Sequence, residues 1–204
     1  MQKLIECVPN ISEGCDTQKI KIITDAVETV EGVRLLDVDP GKATNRTVIT
    51  FAGEPEHVIE AAFRLIKKAA ENIDMSRHKG EHPRMGATDV CPLIPVAGIS
   101  MEETAGFAKK LATRIGTELG IPAYLYEYAA SAPYRKNLSD IRKGEYEGLE
   151  EKLKDEKWKP DFGQSEFTDE VKKSGATVIG ARDFLIAYNV NLNTTSVRRA
   201  NSVA

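Results

Sequence analysis

Apolar residues recur along this chain in two alternating rhythms, and the order of the switches predicts a fold. Leu4 to Val8 reads as a short strand, and Pro9-Asn10 with Ser12-Glu13-Gly14 as a loop rich in hydrogen-bonding groups. Ile20, Ile23, Ala26, Val27 and Val30 then fall at three- and four-residue steps, a helix capped at Asp16 or Thr17 and ended by Gly32. Val33 to Val38 is a strand, Pro40-Gly41 a turn signal and Arg46 to Ala52 a β-branched strand. Glu54-Pro55 suits a first helical turn, where a missing amide donor costs little, and Val58, Ala61, Ala62, Leu65, Ile66 and Ala69 carry that helix to about Asn72.

Val90 to Val96 contains Pro92 and Pro95, each lacking a ladder donor, which predicts an edge or irregular strand. Ser100 and Glu103 form a capping box that opens a helix to about Leu119. Pro122 to Glu127 is the next strand, and a charged, helical excursion follows from Leu138 to Asp155. Ala176 to Ile179 and Phe184 to Asn191 are apolar enough for buried strands. Near the end, hydroxyl residues precede Val197, Ala200 and Val203 on one helical stripe.

The order β-α-β-β-α-β points to an α/β (α+β) sandwich of ferredoxin-like type, with helices packed on one face of a mixed β-sheet. A doubly wound nucleotide-binding sheet fits less well. It would want a glycine-rich turn directly after the first strand, where this chain has Val8-Pro9-Asn10-Ile11-Ser12-Glu13-Gly14.

At 204 residues, 41% of them apolar, the chain can hold one large domain, or one domain and part of a second. A net charge of −3 supplies no field for nucleic acid or an anionic membrane, so neither is expected as a partner. Cys7, Cys15 and Cys91 are odd in number and widely spaced, which suits reduced thiols in a cytoplasmic protein better than a disulfide framework. Glu6 interrupts the apolar run that a signal peptide would need, and no later stretch has the roughly 18 apolar residues that span a bilayer.

The densest chemistry lies in residues 74–86, which hold two of the three histidines, Arg77, Arg84, Lys79, Asp74, Glu81 and two glycines. Gly80 and Pro83 prevent a regular helix, so the segment is a shaped loop; its bland alternative is a solvated, charged one. His78-Lys-Gly-Glu81-His82 formally matches the H-x-x-E-H zinc pattern, but that pattern needs the helix these residues break, and no metal is expected. An imidazole acting as general acid/base, with arginines to bind a carboxylate, fits the residue types better. Asp37 and Asp39 leave one strand face together, either to orient a histidine or to satisfy turn donors. Trp158 to Gly163 is either a platform for a flat heterocycle or a loop pinned by its aromatic residue.

Glu6 to Gly14, Leu36 to Asp39, Thr44 to Val48, Asp74 to Gly86, Asp89 to Pro92, Gly144 to Glu147, Pro160 to Gly163 and Phe184 to Asn189 together resemble the glutamate formiminotransferase family, across essentially the whole chain. The family also forms the front half of formiminotransferase-cyclodeaminases. The resemblance implies transfer of a formimino group from N-formimino-L-glutamate to N5 of tetrahydrofolate, a co-substrate, in histidine degradation. It implies His82 as catalytic histidine; the chemistry of the residues adds Asp39 or Glu81 to set its tautomer, and substrate contacts from Asn10, Arg46, Arg77, His78 and Arg84. It places folate contacts at Gly163, Gln164, Ser165, Phe167 and Gly175, in a loop about two residues longer than usual and more charged through Thr168 to Ser174. It further implies two subdomains, with residues 1–180 forming the first and residues 181–204 beginning a truncated or missing second, and a homodimer or a partner chain that completes the cleft. The alternative is a noncatalytic folate- or anion-binding module.

Overall fold

The computed structural model describes residues 2–186 and 192–203. Strands β1 (Leu4–Cys7) and β2 (Asn10–Ile11) run in line, and helix α1 (Thr17–Glu28) follows. Asp16 caps α1 by accepting from the amides of Gln18 and Lys19 at 3.0 and 3.2 Å. Strands β3 (Val33–Gly41) and β4 (Arg46–Gly53) form a hairpin, and Pro55 opens helix α2 (Pro55–Asn72). Strand β5 is Thr88–Ala97, and helix α3 (Met101–Leu119) begins at the expected capping box and ends before Gly120, whose φ of 68° only glycine adopts easily.

Strand β6 (Ala123–Glu127) is followed by short helices α4 (Leu138–Arg142), α5 (Leu149–Lys154) and α6 (Asp169–Ser174), strand β7 (Thr177–Ala181) and helix α7 (Val197–Val203). The excursion expected from Leu138 to Asp155 thus breaks in two. Asp169–Ser174 is helical, with Thr168 as its cap, so the charge in that stretch belongs to a helix with acids in its first turn and lysines in its last. Phe184, Leu185 and Ile186, read as the start of a buried strand, are 61%, 70% and 91% exposed coil; the rest of that expected strand lies outside the described residues.

The lanes run β3, β4, β1 with β2, β5, β7, β6. The first four lanes are antiparallel in the ferredoxin-like order, while β5, β7 and β6 are parallel and extend the sheet. The fold class is therefore as the pattern predicts. The three long helices cover one face, and their stripes pack on Ile5, Cys7, Phe51, Cys91 and Leu93. Across the parallel half the second face is covered as well. Ile141 of α4 and Leu149 and Leu153 of α5 cluster there with Val90, Tyr124, Tyr126 and Val178.

The strand that prolines marked as edge or irregular is interior, and it is irregular, shifting register against both β1 and β2. β5 pairs with β1 and β2 on one side and with β7 on the other, and its first seven residues are buried. The missing donor is replaced locally. Val8 N–H donates to the Pro92 carbonyl at 3.1 Å, but Pro92 has no N–H to return, and the Val8 carbonyl instead accepts from Asn10 Nδ2 at 2.9 Å. That bond fixes the Asn10 side chain.

Candidate active site

The loop over residues 74–86 is clamped at both ends. Met75 and Met85 are buried, Met75 N–H donates to Lys173 O at 2.9 Å, and Tyr146 N–H donates to Arg84 O at 2.8 Å. Its middle is held by Asn45, which adopts φ 47°, donates to Lys79 O at 2.8 Å and accepts from Gly14 N–H at 2.9 Å. Asn45 thereby joins the loop before α1, the β3–β4 turn and the 74–86 loop at one point.

Strand β5 carries the floor of the site. Asn10 pairs with Val90 and Ile11 with Thr88, so Asp89 is an extra residue opposite one step of β2. Such a bulge re-aims a side chain. Asp89 is fully buried, and its Oδ1 accepts from Met85 N–H at 2.9 Å. Its Oδ2 accepts from Arg46 Nη1 and from Arg142 Nη2, each at 2.6 Å, and Arg142 Nε approaches Oδ1 at 3.3 Å. Arg46 also donates from Nε to Asn10 Oδ1 at 3.1 Å. The order of causes runs from Pro92 to Val8, Asn10, Arg46 and Asp89. Burial disfavours the charge on Arg46, and Asp89 opposes that penalty.

Above this floor lies a groove of about 600 Å³ on the sheet face opposite the long helices, bordered by Asn10, Arg46, His82, Tyr126, Arg142 and Arg182. It extends to the carboxyl ends of β6 and β7, where open α/β sheets commonly bind ligands. His82 Nδ1 lies 2.7 Å from the Pro83 carbonyl, which accepts only if that nitrogen carries the proton. Nε2 is then the lone-pair nitrogen. Burial lowers the His82 pKa below its ordinary 6.5, Arg46 and Arg142 lower it further, and the Pro83 carbonyl and Asp89 oppose them. The ring is neutral at pH 7.

The structure therefore brings Asn10, Arg46 and His82 together and places the other expected residues elsewhere. His78 is buried, with Nε2 3.0 Å from Asn45 O, and Arg84 Nε donates to its Nδ1 at 3.2 Å. Arg84 Nη1 and Nη2 donate to Glu145 and Glu147 at 2.7 to 3.1 Å. Arg77 is exposed and 3.4 Å from Asp74. Asp39 and Glu81 are exposed, and among the described residues neither is hydrogen-bonded to the His82 ring. Asp37 and Asp39 do share a face, opposite Thr50 and Val48.

Gly163, Gln164 and Ser165 are exposed at the start of β6, where Gln164 N–H donates to Gly120 O at 3.4 Å and its Oε1 accepts from Thr168 at 3.0 Å. The groove opens at the other end of β6, about 13 Å along a five-residue strand. Phe167 packs on Tyr146 with ring centroids 6.3 Å apart, and Gly175 bridges to Gly86. Trp158 pins its loop, meeting the Tyr134 ring edge-on at 5.4 Å. Asp89 and Arg142 are the residues that sequence reasoning missed. An acid directly before the apolar run from Val90 to Ile94 was a signal for Asp89; Arg142 had none, lying in a charged stretch.

The Arg84 brace carries a testable pH dependence. Arg84 holds the Glu147 carboxyl down at about 2, against an ordinary 4.5. A depressed carboxyl pKa contributes stability that is complete above the ordinary value and is lost as pH falls from about 4.5 towards 2. Glu147→Gln is expected to make the acid decline of the urea midpoint shallower in that window. Because the Glu147 side chain is 61% exposed, solvent screening keeps the change modest.

Comparison with known families adds to this geometry. Residues 4–182 match the model of the formiminotransferase domain, N-terminal subdomain. The chain belongs to that family. Among the relatives of this formiminotransferase subdomain is the formimidoyltransferase-cyclodeaminase of Dictyostelium discoideum, 56% identical over 94% of the chain and 35% of that enzyme. The glutamate formimidoyltransferase of Thermoplasma acidophilum is 51% identical over 98% of the chain and 66% of its own length. That of Streptococcus pyogenes serotype M1 is 46% identical over the whole chain and 67% of its own length. The chain thus spans about a third of the cyclodeaminase relatives and two thirds of the shorter ones. No helix among its described residues is long and apolar enough to cross a membrane.

Proposed function

We propose that this formiminotransferase subdomain supplies the acid/base half of a glutamate formimidoyltransferase site, moving a formimino group from N-formimino-L-glutamate to N5 of tetrahydrofolate. The observation that carries the proposal is His82, whose proton on Nδ1 is held by the Pro83 carbonyl while Nε2 stays open in the groove that Arg46 lines. In this reading N5 attacks the amidine carbon, and His82 Nε2 takes the proton that N5 loses. Collapse of the tetrahedral intermediate breaks the bond to the glutamate nitrogen, and the same Nε2 returns the proton there. Arg46 binds a substrate carboxylate. Asp39 and Glu81 stand at solvent-exposed positions.

The groove volume, about 600 Å³, falls in the usual range for a small-molecule site. From the family resemblance alone, folate is proposed to reach Gly163, Gln164, Ser165, Phe167 and Gly175, about 13 Å along β6 from the groove that holds N5, and the second subdomain of the family to form the opposing wall of the cleft. A cytoplasmic place in histidine degradation and a homodimer belong to the same reading.

Mass spectrometry of N-formimino-L-glutamate mixed with tetrahydrofolate and the protein tests it. Appearance of 5-formiminotetrahydrofolate supports the reading, whereas folate-dependent thermal stabilisation without product would favour a binding module. Because the His82 pKa lies below 6.5, the acid limb of the rate profile is expected to have its midpoint below 6.5. Arg46→Gln should move that midpoint upwards, since it removes a positive charge that opposes imidazolium.

A further inference from the structure

Arg46 and Arg142 come from β4 and α4, yet both end on one carboxylate. Asp89 is 0% exposed, and the two arginine side chains are 10% and 14% exposed. One carboxylate balances only one guanidinium, so the groove floor keeps an excess positive charge. Each arginine also keeps a terminal nitrogen in reserve. Arg46 donates from Nε and Nη1, and Arg142 from Nε and Nη2; Arg46 Nη2 and Arg142 Nη1 make no hydrogen bond among the described residues. Neither nitrogen is among the fully buried, unpartnered atoms, and both side chains border the groove. Two like charges held together with a single counterion call for a second anion.

We propose that Arg142 joins Arg46 in a two-arginine clamp for a substrate carboxylate, with Asp89 as the positioning residue between them. Resting on the formimino-transfer reading above, the clamp takes the α-carboxylate of N-formimino-L-glutamate. That carboxylate is carried by the same carbon as the nitrogen to which His82 returns the proton, whereas the γ-carboxylate lies three carbons away. His82 borders the same groove as both arginines and feels the charge of each. A carboxylate set against Asp89 across the two guanidiniums completes an alternating ring of charge, for which the planar arginine fork is suited. Glu127 and Asp183 line the groove further along, beside Arg182, and disfavour a second carboxylate near them.

The test is an NMR titration of the His82 ring in the full chain with three probes. N-acetyl-L-glutamate has both carboxylates, N-acetyl-L-2-aminobutyrate only the α-carboxylate, and N-acetyl-4-aminobutyrate only the distant one. The first two are expected to shift the ring, and Arg142→Gln to weaken both by roughly 10- to 100-fold, the worth of a charged hydrogen bond. The same substitution should raise the His82 pKa, a change that a purely structural role would not produce in a folded protein. Arg142→Lys keeps the charge but not the fork, and should leave that pKa in place while losing part of the affinity. The clamp is overturned if Arg142→Gln leaves N-acetyl-L-glutamate binding unchanged, or if N-acetyl-4-aminobutyrate binds as well as its α-carboxylate counterpart. Loss of affinity in Arg142→Gln, beside undiminished transfer by His82→Ala, would keep the clamp and remove the catalytic reading instead.

Discussion

Replacing Asp89 by asparagine is expected to destabilise the fold by about 3–5 kcal/mol, the cost of leaving buried charges without their partner. The amide can still accept from Met85 N–H, so the backbone of the bulge keeps one of its bonds. What disappears is the charge that holds two guanidiniums 2.6 Å from one oxygen. At that distance their mutual repulsion is no longer screened by the anion between them, and little water reaches side chains that are 10% and 14% exposed. For a chain of this size the loss corresponds to a fall in melting temperature of about 10 °C. Arg142→Gln leaves Arg46 and Asp89 paired one to one, and should be the milder change. Thermal melts of both variants check the order, and a loss below about 1 kcal/mol for Asp89→Asn would mean that the floor of the groove is held by something else.

Some features of this fold were legible in the sequence and others were not. Helix starts were, because caps are local: Asp16 and the Ser100 and Glu103 pair each act within a few residues, whereas α1 ends at Glu28, short of the Gly32 stop that the sequence indicated. The ferredoxin-like order was legible because the two hydrophobic periods alternate in the right sequence. The interior position of β5 was not, since Pro92 counts against it until Asn10 is seen supplying the missing donor to Val8. The same distance in sequence hid the site. Arg46 and Asp89 are 43 residues apart and Asp89 and Arg142 are 53 apart, joined only by the folded sheet and a short helix.

His78 and His82 show the limit most directly. They stand four positions apart, and composition makes them equal candidates. Their difference arises from the turn at Gly80, which lies against the Thr44 carbonyl and sends His78 inwards to Asn45 and His82 towards the groove. Arg84 was a plausible carboxylate binder by type and is instead the cation that balances Glu145 and Glu147. Residue type indicated the chemistry of the loop, and only the fold distributed the roles.

His82 carries the largest expected functional effect. A positioned imidazole that moves a proton in the transition state is worth about 10²–10⁴-fold in rate. Its substitution should cost little stability, because the half-buried ring makes one hydrogen bond among the described residues, to the neighbouring Pro83 carbonyl. His78→Ala is the informative contrast: it removes the buried partner of Arg84 and Asn45 and should lower stability more than it lowers the rate per folded molecule.

The most direct measurement is therefore the rate of 5-formiminotetrahydrofolate formation by His82→Ala and by the unaltered protein, both expressed from the full reading frame and matched for folded content by thermal melting. The account predicts an unchanged melt and a rate lower by at least about a hundredfold. Transfer within a few-fold of the unaltered protein would contradict it.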